Sequence, residues 1–392
     1  MSSEIVIASA KRTPLGAFQG ALAALTAPQL GSAAARAAIE AAAIRAADVQ
    51  EVILGCVLPA GLGQAPARQA AIGAGIPLAT PATTINKMCG SGLKAVMMAA
   101  DQIRAGGAEI VLAGGFESMT QAPYLLPKAR GGYRMGHGEV LDHMFLDGLQ
   151  SPFDGKLMGC FADATAARYG FTREQQDAFA SESVRRALAA ASGAFAAEIT
   201  PVTVKTRKGE TLVAHDETPG TCDIKKIPTL KPAFSKDGTV TAASASSIAD
   251  GAAAVLVMSA QAAADRGVKP LARVVAYASY AQEPEWFTTA PVGAIRKVLA
   301  ATGWQAEDVD LFEINEAFAA VTLAAMHDLK LDPARVNVNG GACALGHPLG
   351  ATGARILTTL LHALRARNAR RGIAALCIGG GEAVAVAVER VG

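Results

Sequence analysis

Between residues 91 and 107 the apolar positions Leu93, Val96, Met97, Ala100 and Ile103 recur at the three- and four-residue spacing of one helix face, and Gly106-Gly107 supplies the stop. Ile356, Leu357, Leu360 and Leu364 repeat the pattern near the other end of the chain, and residues 173–191 read as a further helix. Elsewhere the apolar residues run together. The stretches 4–8, 110–115, 252–258 and 373–378 are too short for buried helices, which predicts strands covered on both faces. Helices interleaved with such strands describe an α/β protein.

The pattern occurs twice. Ala47-Asp48-Val49-Gln50-Glu51-Val52-Ile53-Leu54 resembles Glu307-Asp308-Val309-Asp310-Leu311-Phe312-Glu313-Ile314, an offset of 260 positions. Ser91-Gly92 and the helix after it align with Thr352-Gly353 and its helix at an offset of 261, and the strand at 110–115 matches Leu376-Cys377-Ile378-Gly379-Gly380 at about 265. Two copies of one αβ unit, packed about a pseudo-twofold axis, set the turn before Ser91 and the turn before Thr352 face to face. The glycine-rich strand end after Cys377 then borders the same cleft.

Each of these three places carries a reactive side chain. Cys89 sits in Asn86-Lys87-Met88-Cys89-Gly90-Ser91-Gly92-Leu93-Lys94, at a helix N-terminus where unpaired N–H groups and the macrodipole favour the thiolate. Its flanking glycines are expected to leave the thiol uncovered and let a substrate approach the backbone. His347 lies in Gly346-His347-Pro348, also a strand-to-helix turn, and Cys377 near the end of an apolar strand. Taken singly, each residue has a blander reading as core packing or a helix cap. The repeat is what brings them to one cleft.

Composition narrows the class without naming it. Hydrophobic residues at 51% and charged ones at 18% suit sheets buried under Ala-rich helices, and 392 residues make two to three domains. No apolar run reaches the ~18 residues of a membrane span, and the chain opens on a strand without a signal-type core, so a soluble cytoplasmic protein is expected. Cys56, Cys89, Cys160, Cys222, Cys343 and Cys377 have no paired CxxC spacing and read as reduced thiols. His137 and His143 lie in a glycine-broken loop without ligand spacing, so no metal is expected. With a net charge of +2 nothing suggests nucleic acid. Lys205, Arg207, Lys208, Lys225, Lys226, Lys231 and Lys236 form a locally basic stretch, read either as a solvated hairpin or as a landing site for phosphates.

At this point the chain resembles the thiolase family, in its biosynthetic branch, over essentially its whole length. The motifs that carry the likeness are Asn86–Lys94, Asn315-Glu316-Ala317-Phe318-Ala319, Gly346-His347-Pro348 and Cys377-Ile378-Gly379-Gly380-Gly381. The resemblance implies duplicated αβαβα halves in a five-layered arrangement with an inserted loop domain. On this chain the halves would be residues 1–118 with 250–268, and 269–392, with the coenzyme A-binding insert at 119–249. It implies reversible Claisen condensation of two acetyl-CoA to acetoacetyl-CoA and coenzyme A, with longer 3-ketoacyl-CoA thioesters as the wider alternative and no cofactor. Cys89 would be acylated, with His347 keeping it as thiolate, and Cys377 would act as second acid and base. Asn315, through a water, and His347 would hold the enolate oxygen, and the N–H groups of Cys89 and Gly379 the acyl carbonyl, a side chain at 379 obstructing the approach. Glu316 either orients its neighbours or serves as a helix N-terminal carboxylate. Coenzyme contacts would fall on Leu149, Met158, Phe234, Ala242, Ser246, Ala317 and Phe318. A homotetramer built as a dimer of dimers is also implied, and Tyr124-Leu125-Leu126-Pro127 offers an apolar run either for that contact or for the chain's own core.

The chain departs from the family at several places. Ser244-Ala245-Ser246-Ser247 stands where asparagine, a small residue and serine are usual, and Leu157 where a histidine is frequent. Phe287 replaces a common methionine, which bears on acyl-chain length, and Cys343 replaces an aliphatic residue. Three other readings stay open. Gly90-x-Gly92-x-x-Ala95 after a strand resembles a dinucleotide fingerprint, but Glu109 precedes the next strand and Gly114-Gly115 closes it. A ketoacyl-synthase type of condensing enzyme would carry two histidines where Cys377 and Asn315 stand. A non-catalytic acyl-binding scaffold would not need the reactive set.

Overall fold

The first half begins with β1 (Ile5–Arg12), α1 (Ala27–Ala41), β2 (Glu51–Gly55), α2 (Pro66–Gly73), β3 (Ala82–Ile85), α3 (Ser91–Arg104) and β4 (Ile110–Ser118). These come from a computed structural model that describes residues 4–207 and 209–391. The chain then leaves the sheet for an excursion that carries α4 (Met158–Tyr169) and α5 (Arg173–Ala191). It returns with β5 (Ala249–Ser259), followed by β6 (Ala272–Ala281), α6 (Ala290–Thr302), β7 (Leu311–Ile314), α7 (Ala319–Leu329), α8 (Leu349–Ala366), β8 (Arg371–Ile378) and β9 (Glu382–Arg390). The helix read at 173–191 forms with those bounds because Thr172 and Gln175 close a reciprocal capping box at its start.

The strands pair in the order β7-β8-β9-β6-β1-β5-β4-β2-β3. Among the described residues the two halves of this run pair through Val6 with Arg273 and Ile7 with Ala272, so the sheet is two sheets stitched at one short seam. Their inner faces, Val111, Ala113, Val255 and Val257 on one side and Leu376, Ile378, Val384 and Val386 on the other, close on the same helices α3 and α8. α1 and α2 cover the outer face of the first half, α6 and α7 that of the second. The order is helix, sheet, helix, sheet, helix. The central pair buries Leu93, Ile103, Ile356, Leu357, Leu360 and Leu364, each contributing about 1.5–3 kcal/mol.

At the centre the two helices touch through backbone. A Cβ on Gly92 would lie 2.7 Å from the Ala354 nitrogen, and one on Gly353 only 2.3 Å from the Leu93 nitrogen. Gly90 is equally constrained, since a Cβ there would meet Ile378 Cδ1 at 2.4 Å. The glycines beside Cys89 therefore let the two halves close on each other, a second demand on them besides the access to the thiol expected from sequence. The repeat also needs a correction of register. Glu51 pairs with Val111 and Leu311 with Gly372, so the strand offset is 261 and not about 265, and Cys377 is the counterpart of Phe116. Matching glycine to glycine along the sequence shifts the alignment by four positions.

Part of the excursion stands proud of the body. Tyr124–Leu125 pairs with Leu141–Asp142 in a small ribbon, with Tyr124 66% and Met135 96% exposed. Val202–Thr206 and Gly209–Val213 form the hairpin expected of the basic stretch, where Lys205 bonds Glu210. Its extent is corrected: Lys225 and Lys226 sit in a separate helical turn, Ile224–Thr229, that Pro228 interrupts. Lys208 lies outside the described residues. No helix among the described residues is long and apolar enough to cross a membrane.

Candidate active site

The cleft forms where the carboxyl ends of β7 and β8 meet the amino ends of α3 and α8, the place where open α/β sheets present side chains to ligands. Cys89 ends a turn braced by one hydroxyl. Ser91 Oγ accepts from the Lys87 N–H at 2.8 Å and donates to the Met88 carbonyl at 2.7 Å, holding Met88 at φ 47°. That left-handed conformation costs a non-glycine residue about 1–3 kcal/mol and persists only where surrounding bonds enforce it. Cys89 packs against the cluster of Val57, Leu58, Met119, Met144 and Leu349, as Met88, Leu149 and Ile248 also do. The residue is half-buried and keeps some access, yet the protein packed around its sulfur still desolvates it.

Burial pushes the Cys89 thiol up to about 11, against the opposing pull of the Gly379 and Cys89 backbone N–H groups that face it. Burial thus outweighs the pull toward thiolate expected at a helix start, and one of the two opposing donors, the Gly379 N–H, comes from past the end of β8 in the other half. Cys377 is fully buried, and desolvation, with the Cys89 charge second, pushes its thiol well above the ordinary value. His347 is also buried, and desolvation, helped by the Arg355 guanidinium, lowers its imidazole to about 3. At neutral pH all three groups rest uncharged.

Several polar atoms in this region are buried without a partner. They are both side-chain atoms of Asn315, Nε2 of His347 and Oγ of Ser247. The neighbours of these residues are accounted for: the Asn315 N–H bonds the Ala375 carbonyl at 3.0 Å, and the His347 N–H bonds the Ser247 carbonyl at 3.0 Å. Buried polar atoms of a folded protein are nearly all paired, so this group marks where a ligand or ordered water belongs.

Two cavities lie in this region, one reaching Met88 beside Cys89 and both reaching Met158. One, of about 330 Å³, is lined by Leu149, Met158, Phe234, Ala242, Ser246 and Phe318 among others, and Leu157 stands at its wall. Ala317 lies behind that wall, its carbonyl accepting from the Ser246 N–H at 2.9 Å. The second, of about 240 Å³, includes Met88, Met158, Phe161, Gly379 and Gly380. A Cβ on Gly379 would reach only Met158 Sδ, at 3.6 Å, so a side chain there would take up cavity space and press on no other part of the protein. Cys377 packs with Met158, Phe161, Phe234, Phe287 and Phe318, and Phe161 meets Phe287 edge to face at 6.2 Å. A larger cavity, about 360 Å³, lies apart between α5 and α7, with Glu316 in its lining.

Glu316 orients its neighbours. Its carboxylate accepts from Ser183 Oγ at 2.7 Å, Asn337 Nδ2 at 2.9 Å and the Cys343 N–H at 3.1 Å, tying α5 and the loop before His347 to the residue after Asn315. Glu117 plays the same part in the first half and was missed. It accepts from the N–H groups of Val57, Leu58 and Gly350 at 2.9, 3.1 and 2.9 Å, pinning the start of α8 to the end of β2. Each N–H stranded by its loss would cost about 1–3 kcal/mol. The available signal was a carboxylate in an apolar run. β4 extends through Ser118, so Glu117 stands where a dinucleotide fold would hold a ribose, but these three bonds occupy it.

By fold and site this is a duplicated α/β enzyme with thiols and an imidazole at the junction of its halves. Residues 5–261 match the thiolase N-terminal domain and residues 268–390 the thiolase C-terminal domain. The chain is 53% identical to an acetyl-CoA acetyltransferase of Pseudomonas aeruginosa, covering 99% of each chain, and 51% identical to one of Escherichia coli, covering 98% and 99%. A crystal structure of the Bacillus anthracis acetyl-CoA acetyltransferase superposes with a TM-score of 0.97 at 42% identity, over 100% of this chain and 99% of that one. The chain belongs to the thiolase family.

Proposed function

We propose that the chain is an acetyl-CoA C-acetyltransferase that joins two acetyl-CoA into acetoacetyl-CoA and coenzyme A, and reverses the reaction, through an acetyl-Cys89 intermediate. The observation that carries this reading is the set of unpartnered buried atoms on Asn315 and His347, beside two neutral thiols and the N–H groups of Cys89 and Gly379. Such a site offers one nucleophile, two proton carriers and donors for two oxyanions.

The protons balance without any cofactor. As the Cys89 sulfur attacks the first thioester, its proton passes to His347, while the Cys89 and Gly379 N–H groups hold the oxyanion. Cys377 protonates the departing coenzyme A thiolate and is left as thiolate. It then removes the α-proton of the second acetyl-CoA, whose enolate oxygen is held by protonated His347 and, through a water, by Asn315. The enolate carbon attacks acetyl-Cys89, and on collapse His347 returns its proton to the Cys89 sulfur. Uncharged resting groups fit this order, because the neutral His347 imidazole has a lone pair with which to accept a proton and the neutral Cys377 thiol still holds one to give.

The acyl end of the site supports a short substrate. Phe287 and Phe161 fill the space beside Cys377, leaving little room for a longer chain. Thiolysis of acetoacetyl-CoA is expected to exceed that of six-carbon and longer 3-ketoacyl-CoAs in kcat/KM, and Phe287→Ala to narrow the gap by about 10-fold or more, the worth of a few methylenes in an apolar pocket. Equal rates across chain lengths in the unaltered enzyme would overturn acetyl specificity.

We also propose a homotetramer, a dimer of dimers. The exposed Tyr124, Leu126, Met135 and Val140 support it, an apolar group that self-packing does not cover. Light scattering at micromolar concentration is expected to report a tetramer, and Tyr124→Glu with Leu126→Glu to yield smaller species. A wild-type monomer would defeat the proposal.

A further inference from the structure

The start of α8 carries a side chain to which neither the repeat nor the motifs assign a role. Thr352 Oγ1 lies 2.6 Å from His347 Nδ1 and 2.9 Å from the Pro348 carbonyl oxygen, and it is fully buried. Two proton arrangements fit these distances. In one, the hydroxyl donates to Nδ1, the ring proton sits on Nε2, and that N–H has no protein acceptor within reach. In the other, Nδ1–H donates to the hydroxyl and the hydroxyl donates to Pro348. Every proton is then bonded in a single chain, and only an acceptor lone pair is left over. The second arrangement gives both protons protein acceptors at these distances, and hydrogen bonds in series strengthen one another, so it prevails.

We infer that Thr352 is a positioning residue that holds the His347 proton on Nδ1 and so keeps Nε2 bare and turned to the cleft. The inference rests on the proposed acyl transfer for its consequence: a bare Nε2 is what receives the Cys89 proton, and only after that transfer does the same atom become a donor to the enolate oxygen. A resting ring with its proton on Nε2 would have no free lone pair on that side and would hinder the first step. The pseudo-twofold places an equivalent hydroxyl in the other half. Ser91 occupies the position of Thr352 and braces the Cys89 turn through Lys87 and Met88. One helix-start hydroxyl sets the nucleophile and its counterpart sets the base.

The test reads the tautomer directly in the free, full-length enzyme. Long-range proton–nitrogen correlation on ¹⁵N-histidine protein, with the His347 signals assigned by their loss in His347→Asn, is expected to show Nδ1 protonated and Nε2 bare. Thr352→Val removes the acceptor, so the proton shifts toward Nε2 and acetylation of Cys89 by acetyl-CoA slows by roughly 10²-fold, the scale of one general base. Thr352→Ser keeps the hydroxyl and is expected to keep both the tautomer and the rate. A proton on Nε2 in the wild type overturns the inference, as does a valine variant that retains the Nδ1 proton and full acylation. If the valine variant does not fold, the wild-type and serine spectra decide. Because the tautomer is read without an acyl donor, an enzyme with Nδ1 protonated that never acylates Cys89 would sink the proposed function and leave the tautomer assignment standing.

Discussion

Replacing Cys89 by serine is expected to lower condensation and thiolysis by several orders of magnitude while leaving the fold intact. A hydroxyl is far less ionised than a thiol and a weaker nucleophile even with the same base beside it. The serine fits the same turn, since the bracing bonds run through Ser91, Lys87 and Met88 and not through the sulfur. Acid quenching of the wild type after incubation with acetyl-CoA should leave a thioester on the peptide containing Cys89, and label found only elsewhere would refute the assignment. The raised thiol adds a pH test. Below a pKa of about 11 the thiolate fraction grows about tenfold per unit, so alkylation of Cys89 by iodoacetamide in the free enzyme should climb steadily through pH 7 to 10. A plateau near neutral pH would show that the helix start outweighs burial after all.

Cys377→Ala is expected to separate the two halves of the reaction. Cys89 and His347 remain, so slow acetylation should survive. Exchange of acetyl-CoA α-hydrogens with solvent and condensation should both fall by roughly 10²–10⁴-fold, the range of a lost general base. Cys377 is fully enclosed by Met158, Phe161, Phe287 and Phe318, so no bulk water stands ready to replace it. Normal α-hydrogen exchange in the variant would show that another group is the base. Loss of acylation along with exchange would show that protonation of the departing thiolate by Cys377 is as indispensable to the first step as proton removal is to the second.

Much of this was legible before any coordinates. Local spacing marked α3, α5 and α8 because a helix face repeats its contacts every three or four residues, and a capping box such as Thr172 with Gln175 is written within four positions. Unbroken apolar runs marked β4, β5 and β8 for the same local reason. The duplication was legible too, with its strand register misplaced by four, since comparing residues matches glycine to glycine while pairing matches backbone to backbone.

What the chain alone determined is therefore the inventory: two αβ copies, a cysteine and a histidine at their helix starts, a second cysteine at a strand end, and the motifs of one family. Tertiary structure decided everything that depends on distance across the chain. The closure of α3 on α8 turned the glycines beside Cys89 into packing surfaces. The enclosure of three ionisable side chains reversed the expected charge on Cys89, because desolvation is a property of the surroundings and not of the residue. Glu117 and Thr352 acquired their roles only when Gly350 and His347 came within reach, through hydrogen bonds whose partners lie 233 and 5 positions away. The shorter separation was no easier to read than the longer, since both bonds depend on where a turn points, and the direction of a turn is fixed by what packs against it.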